Sequence, residues 1–417
     1  MAPPSPPPFF LLARRVATYP PGHGIPQGHP LTSESKIAFG FEDQDEADSM
    51  VRTMELRSHL PDTDLASVTL HGGHNYSSVN AADNDLILIA SACPDVYPPD
   101  ILLIYDAIDS SLRVIPSSPY SHPPISTNLI LVARRDDDED DRSYALVSPG
   151  TVRQQHVLFL FLSTSNSASP WHPKKASFPD HWLPDDGVFE AREVFSFRGR
   201  GYWVDLLCGV LYCDCSQVLS DDIDCVDIRS LDLPPGCKMC SGGDRDEIAR
   251  VKAFRAMGPV GDSIKFVSID GYLEHADLND CKVRLWTLMA DTTSWALEYE
   301  LKFVSLSEFK GDYVPPEMAP MYPFLSTHED NVIYFALGNV KPGRKTFSPD
   351  KPCCMLRVDL HRKIVKVKKI PVLQSMTVAS YLAVSGNVAH KLLAGSCQLS
   401  HVEDLNPCPA DYTASCY

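Results

Sequence analysis

Two distant stretches of this chain follow the same three-strand plan, and that internal repeat constrains the fold more than any other feature. Asp83-Asn84-Asp85 precedes the apolar run Leu86–Ala90, and Asp330-Asn331 precedes Val332–Ala336. In each case a Pro-containing loop leads to a second run that closes on Asp, Ile101–Asp106 in one and Cys354–Asp359 in the other. A polar turn and a third run ending in Ile-Pro follow, Leu112–Pro116 and Ile364–Pro371. Similarity sustained over three successive strands marks a structural repeat.

Two further segments fit the scheme with tighter turns. Tyr202–Leu207 and Val210–Asp214 flank Cys208-Gly209, and Ile264–Ile269 and Tyr272–Asp277 flank Asp270-Gly271. Asp-Gly suits a two-residue hairpin because Asp tolerates positive φ and Gly supplies it readily. The Asp that closes each second run, at 106, 214, 277 and 359, reads as a turn former accepting backbone N–H groups rather than as a catalytic acid.

A three- or four-stranded antiparallel unit cannot cover both of its faces alone. Radial packing of such units gives a β-propeller, with a stacked sandwich or an open β-rich array as the alternatives. The expected fold is therefore all-β, built of repeated antiparallel β-hairpin units, most simply a β-propeller with irregular blades and long loops. The Asp markers are more widely and less evenly spaced than blades of about 40–50 residues, so a degenerate unit is expected near Leu129–Pro149. Composition divides the chain into a Pro-rich N-terminal tail (1–33), a single β-repeat domain (34–394) and a C-terminal tail (395–417).

The hydrophobic fraction of 44%, with 16 Tyr, 17 Phe and 5 Trp, supplies a core and excludes a wholly disordered chain. A formal charge of −17 disfavours nucleic acid and anionic membranes as partners. The one basic run, Arg362–Lys369, alternates Lys363, Lys366 and Lys368 with Ile364, Val365 and Val367, as a strand with one wet face does. The acidic block Asp136–Asp141 reads as a solvated hairpin loop between Leu129–Ala133 and Tyr144–Val147. It lacks the spaced oxygen ligands and the Gly of an EF-hand loop.

Thirteen cysteines without a secretory signal point to reduced thiols and to a cytoplasmic or nuclear location. The stretch up to Ser33 holds Arg14 and Arg15 and no acidic residue, as organelle transit peptides do, yet its prolines oppose an amphipathic helix. No apolar run approaches the roughly 20 residues that cross a bilayer.

The search for chemistry assigns no catalytic, cofactor-binding or metal-binding residue, and no cofactor. Neither a P-loop nor a strand-linked G-x-G-x-x-G occurs. His71-Gly72-Gly73-His74 has no G-x-S-x-G nucleophile elbow to serve. Cys213, Cys215, Cys237 and Cys240 form the one candidate metal cluster, with a spacing unlike a zinc ribbon, so ordinary thiols are expected. Trp203 and Trp286 lie in alternating strands and read as core.

The segment Phe195–Leu206, continuing through Gly209–Asp214, resembles the plant family called domain of unknown function 1618, which is large in grasses. The opening Phe10-Leu11-Leu12-Ala13-Arg14-Arg15 fits the same resemblance. It implies an organisation related to the β-propeller regions that follow F-box motifs in plant ubiquitin-ligase adaptors, and it brings no catalytic residues. The segment 1–60 departs from that pattern, being Pro-rich and acidic rather than three-helical. The expected function is a non-catalytic protein-interaction scaffold with a protein partner. The alternatives are substrate recognition for ubiquitin-dependent turnover in trans, and an enzyme with its pocket at the propeller axis.

Overall fold

Strands whose consecutive side chains are all apolar must be covered on both faces, and several strands here are of that kind. The computed structural model describes residues 9–13, 15–19, 36–38, 55–59, 65–71, 76–83, 86–92, 100–106, 111–115, 130–135, 142–152, 155–163, 171–179, 189, 191–239, 251–270, 281–289, 294–314, 318–326, 329–339, 354–369 and 381–385. The chain begins with β1 (Phe9–Ala13), β2 (Arg15–Tyr19), β3 (Lys36–Ala38), β4 (Glu55–His59) and β5 (Leu65–His71). A first blade follows from β6 (Tyr76–Asp83), β7 (Leu86–Ala92), β8 (Asp100–Asp106) and β9 (Ser111–Ile115). The second uses β10 (Ile130–Arg135), β11 (Arg142–Val152), β12 (Gln155–Ser163) and β13 (His172–Ser177).

The third blade contains β14 (Glu193–Phe197), β15 (Arg200–Asp205) and β16 (Gly209–Asp214). A short helix (Cys215–Leu219) and β17 (Cys225–Asp227) come next, before its outer strand β18 (Arg229–Leu231). The fourth is β19 (Arg255–Val260), β20 (Ser263–Asp270), β21 (Lys282–Leu288) and β22 (Trp295–Lys302). After β23 (Lys310–Gly311), the fifth is β24 (Met318–Leu325), β25 (Val332–Asn339), β26 (Cys354–Asp359) and β27 (Ile364–Lys369), and β28 (Tyr381–Ser385) ends the described chain.

The second, third and fourth blades are antiparallel meanders whose two faces feed two different cores. In β11, Tyr144 and Leu146 pack toward the first blade while Ala145 and Val147 pack toward the third. In β15, Trp203 joins the second blade's side while Tyr202 and Val204 face the fourth. In β20, Phe266 looks back to the third blade while Val267 and Ile269 look forward to the fifth. Period-two alternation with both faces apolar thus forces the sheets to stack side by side around an axis.

The first strands of successive sheets touch in order, β6 to β10, β10 to β14, β14 to β19, β19 to β24, β24 to β28, and β28 back to β6. That closed ring is the propeller. The sixth position is built from both ends of the described chain: β28 pairs antiparallel with β1, β1 pairs with β5, and β4 pairs with the same β5. Because β2 pairs with both β5 and β6, this blade and the first merge into one ten-stranded sheet.

The repeat read from the two Asn-containing turns is reproduced strand for strand. Leu86 pairs with Asp106, which pairs with Ser111; Val332 pairs with Asp359, which pairs with Ile364. In β27 Val365 is buried while Lys366 and Lys368 are exposed, the wet and dry faces expected there. Arg135 pairs with Arg142, so β10 and β11 make the hairpin expected around the acidic block, whose own residues lie outside the described ones.

Four expectations change. Segment 1–33, read as a tail, contributes β1 and β2 to the sheets; the boundary at 395–417 lies outside the described residues. The unit near Leu129–Pro149 is not degenerate but the start of a five-stranded sheet. Its third strand ends on Ser163, so the Asp marker is missing while the blade is complete.

Asp270-Gly271 is not a two-residue hairpin, because Asp270 pairs with Lys282 and Ile269 with Val283. Val283 and Leu285 are the residues that fill the core against the fifth blade, and that burial outweighs the local turn preference. The two-residue turn in this blade is Gly261-Asp262, with Val260 opposite Ser263 and Gly261 at φ +53°. In the third blade the turn is the three residues Leu206, Leu207 and Cys208 rather than Cys208-Gly209, Asp205 facing Gly209. Asp205 itself closes it by accepting from the N–H groups of Leu207 (2.9 Å) and Cys208 (3.3 Å).

Candidate functional site

The chemistry-bearing groups that the fold brings together lie between the fourth and fifth blades, at the end of the ring that carries the β19–β20 and β24–β25 turns. Lys265 stands on the β20 face that looks toward the fifth blade, with its side chain 3% exposed. Its ammonium reaches Glu298 Oε2 at 2.9 Å and Asp330 Oδ1 at 2.8 Å. Burial lowers its affinity for a proton, but the hydrogen bonds to Asp330 and Glu298 outweigh that and leave the pKa raised. Lys265 is therefore held as a cation.

Glu298 gets there through a bulge. The β21–β22 register shifts between Leu285, opposite Tyr299, and Trp286, opposite Leu297, so Glu298 is the extra residue. A bulge turns two successive side chains toward one face, which sends Glu298 to the side of Tyr299 instead of leaving it across the strand. Asp330 comes from the turn before β25, one of the repeat's polar turns.

The neighbouring residue in that turn extends the network. Glu329 accepts from Tyr334 Oη at 2.6 Å through Oε2 and from Arg357 at 2.6 Å through Oε1. Arg357 also lies 4.0 Å from Asp359, as does Arg362. Burial first, and then the bond to Glu329, pushes the Tyr334 phenol well above its ordinary range. The phenol stays protonated and donates.

A second cross-blade tie joins the third and fourth blades. Arg255, 8% exposed, donates to the carbonyls of Leu206 (2.8 Å) and Cys237 (2.6 Å). Desolvation lowers its pKa, and the carbonyl bonds supply the compensation a buried guanidinium requires. Between the second and third blades, Lys174 donates to the carbonyls of Gln217 (3.0 Å), Val218 (3.1 Å) and Ser220. It closes the C-terminus of the short helix, where a cation is favoured.

The residues singled out from sequence fall in separate places. Asp214 caps the helix, accepting from Ser216 N (2.9 Å) and Ser216 Oγ (2.8 Å), and Asp359 accepts from Arg362 N at 2.8 Å. Both are the turn formers expected. Asp106 is buried at the matching place in the first blade, and Asp277 lies outside the described residues.

Trp203 and Trp286 are core residues of two different layers. Cys213 faces the second blade and Cys237 the fourth, on opposite sides of one sheet, so these two thiols do not converge. Cys215 is buried on the helix, and Cys240 lies outside the described residues. Burial pushes the thiols of Cys213 and Cys237 up and that of Cys281 to about 12, which keeps them protonated and poorly nucleophilic. Among the described residues no three His, Cys, Asp or Glu side chains group as metal ligands. Of the His71–His74 stretch, only His71 is described, as the last residue of β5.

Sequence reasoning missed the Lys265 triad. Asp330 was visible as a turn residue, but nothing in Leu297-Glu298-Tyr299-Glu300-Leu301 announces a bulge, and Lys265 lies in a strand that also carries Ser268 and Asp270, without naming its partners.

Comparison with known proteins adds a match to a family model over part of the chain but no activity. Residues 203–334 match the model of a family described as a protein of unknown function, DUF1618, in agreement with the resemblance read from Phe195–Asp214. No curated protein matches the sequence. Among solved structures, a mutant of the GH43 protein BlXynB from Bacillus licheniformis is similar at 8% identity and a TM-score of 0.28, over 64% of this chain and 52% of that one. The chain thus spans about half of that protein's length. A subtype N10 neuraminidase-like protein of A/little yellow-shouldered bat/Guatemala/060/2010 is similar at 12% identity and 0.33, over 66% and 77%. The endo-arabinase from Bacteroides thetaiotaomicron gives 11% and 0.27, over 58% and 80%. The propeller assignment rests on the ring of first strands and the alternating cores rather than on these likenesses. No helix among the described residues is long and apolar enough to cross a membrane.

Proposed function

We propose that this chain, whose residues 203–334 match a family of unknown function, is a non-catalytic protein-interaction scaffold. The observation that carries the reading is the engagement of its buried charges. Lys265 is held by two carboxylates, Arg255 by two carbonyls, Asp205 and Asp359 by turn N–H groups, and Glu193 lies 3.8 Å from Lys252. Catalytic groups are poised with pKa values near the working pH; Lys265 is instead held as a cation by its carboxylates, and the other buried charges are engaged by structural neighbours. The Lys265–Asp330 pair and the Arg255–Leu206 bond join neighbouring blades, which suits a rigid platform presenting loops.

The test is affinity purification of the tagged full chain from its native source, with mass spectrometry of what is retained. A stoichiometric protein partner supports the scaffold. Reproducible turnover of a panel of chromogenic esters, phosphates and glycosides by the pure chain overturns it.

A further inference from the structure

In a chain that carries −17 overall, the outer strand of the fifth blade has the opposite sign. Residues 360–370 hold Arg362, Lys363, Lys366, Lys368 and Lys369 and no carboxylate. Lys363, Lys366 and Lys368 are exposed, with Lys363 at φ +54° in the turn before β27. The cover of this strand adds a further cation. β23 runs parallel to β27 with Lys310 beside Ile364 and Gly311 beside Val365, and Lys310 is exposed. Paired residues of neighbouring strands share a face, so Lys310 falls on the side of Ile364, Lys366 and Lys368. Its N–H donates to the carbonyl of Lys363 at 2.9 Å, which holds those two residues together.

The fourth blade treats its outer charges differently. There Glu300 on β22 is paired across the sheet with Lys282 at 3.3 Å and Arg284 at 2.7 Å. On the fifth, Arg362 is 4.0 Å from Asp359, whereas Lys310, Lys363 and Lys366 make no ion pair among the described residues. The carboxylate nearest to them in the chain, Asp312, is engaged by the backbone: its Oδ2 accepts from Val367 N at 2.8 Å. Like charges gathered on one strand repel one another, and here they are left without the answering carboxylates that the neighbouring blade supplies.

We infer that this stripe, Lys310, Lys363 and Lys366, docks an extended acidic segment of a partner protein. This rests on the scaffold reading and names its site. Alternate side chains of an extended strand stand about 6.8 Å apart, so a second extended chain with carboxylates at alternate positions matches the repeat of Lys366 and Lys368. Charges beyond about 8 Å are screened at physiological ionic strength, so a short segment meets the stripe rather than the net −17. A nucleic acid or an anionic bilayer spreads its charge over far more of the surface and meets the excess carboxylates. A second copy of the chain brings the same −17. The chain's own acidic block lies between β10 and β11, in the blade opposite the fifth around the ring.

The probe is a labelled, amidated decapeptide alternating Glu and Ser, with a Gln-for-Glu counterpart as control, titrated with the full chain. Fluorescence anisotropy is expected to rise with the Glu peptide alone, and the binding to weaken as salt is added. Lys310→Gln with Lys366→Gln is expected to weaken it about tenfold, as the loss of two surface ion pairs does. Lys366→Arg keeps the charge and is expected to retain binding. Lys238→Gln with Lys302→Gln removes the same charge at exposed positions on other blades and is expected to leave it unchanged. No binding beyond that of the Gln peptide, or an equal loss with the control pair, overturns the inference. So does tighter binding of a single-stranded oligonucleotide or of phosphatidylserine vesicles that the Lys310→Gln, Lys366→Gln chain loses, or sedimentation showing a dimer that dissociates when the acidic block Asp136–Asp141 is neutralised. A partner captured equally by the wild-type and Lys310→Gln, Lys366→Gln chains also overturns it while leaving the scaffold reading intact. Capture of no partner overturns the scaffold reading, and the peptide titration still reads the stripe on its own.

Discussion

Lys265 and its two carboxylates make the sharpest prediction, because the three groups differ so much in burial. The ammonium is 3% exposed, Glu298 29% and Asp330 70%. Asp330→Asn removes a mostly solvated partner and is expected to cost ~0.2–1 kcal/mol, the range of an exposed ion pair. Glu298→Gln weakens a charge-assisted bond to a buried cation and is expected to cost about 1.5–3 kcal/mol. The double variant leaves the cation buried without a counter-charge and is expected to lose about 3–5 kcal/mol.

Lys265→Met behaves differently: it removes the desolvated charge, leaves two carboxylates that water can reach, and is expected to cost less than about 1.5 kcal/mol. Added to the double variant, Lys265→Met is expected to restore most of the lost stability. Urea unfolding of the full chain, followed by tryptophan fluorescence and circular dichroism, gives the order of midpoints. A Lys265→Met chain less stable than the double carboxylate variant refutes the assignment of the strain to the unpaired ammonium. The sign with pH follows from the raised pKa of Lys265. Its contribution is fully present below the unfolded lysine pKa, about 10.4, and is lost as pH rises through the folded value.

Other expectations concern closure, a turn and the thiols. Deleting residues 1–19 removes β1 and β2 and so the strand that β28 pairs with; thermal unfolding is expected to begin at lower temperature, and an unchanged midpoint refutes the closure of the ring by these strands. Gly311 sits at φ +120° with the carbonyl of Val365 where a Cβ would project; Gly311→Ala is expected to destabilise by about 1–3 kcal/mol in the same urea assay, and a neutral result counts against the β23 cover. Cys225 is exposed while Cys213, Cys215, Cys237 and Cys281 are buried; in the native chain at pH 8, maleimide labelling mapped by peptide mass spectrometry is expected at Cys225 far ahead of those four. Equal labelling of Cys281 contradicts its burial.

The three-strand repeat was legible because it is local. Each strand, its turn and its closing Asp follow one another along the chain, so Leu86–Ile115 and Val332–Lys369 carry the same signal at every step. The signal failed where blades dispense with the marker: the third strands β12 and β21 end on Ser163 and Leu288, and the Asp270-Gly271 pair offers a tempting local turn that tertiary packing declines. The polar junction was legible only in fragments. Asp330 belongs to a visible turn, whereas Glu298 reaches Lys265 through a bulge that alternation does not foretell.

Strand alternation and turn chemistry were properties of the sequence alone, and together they determined an all-β repeat for which a propeller was the simplest packing and a sandwich or an open array the alternatives. The tertiary structure alone decided how the ring closes, which edges are covered and which charges meet. Those outcomes depend on contacts between residues far apart in the chain, such as β1 with β28 and Lys265 with Asp330. Local propensity carries no information about pairings whose stabilisation exists only once the blades stand side by side.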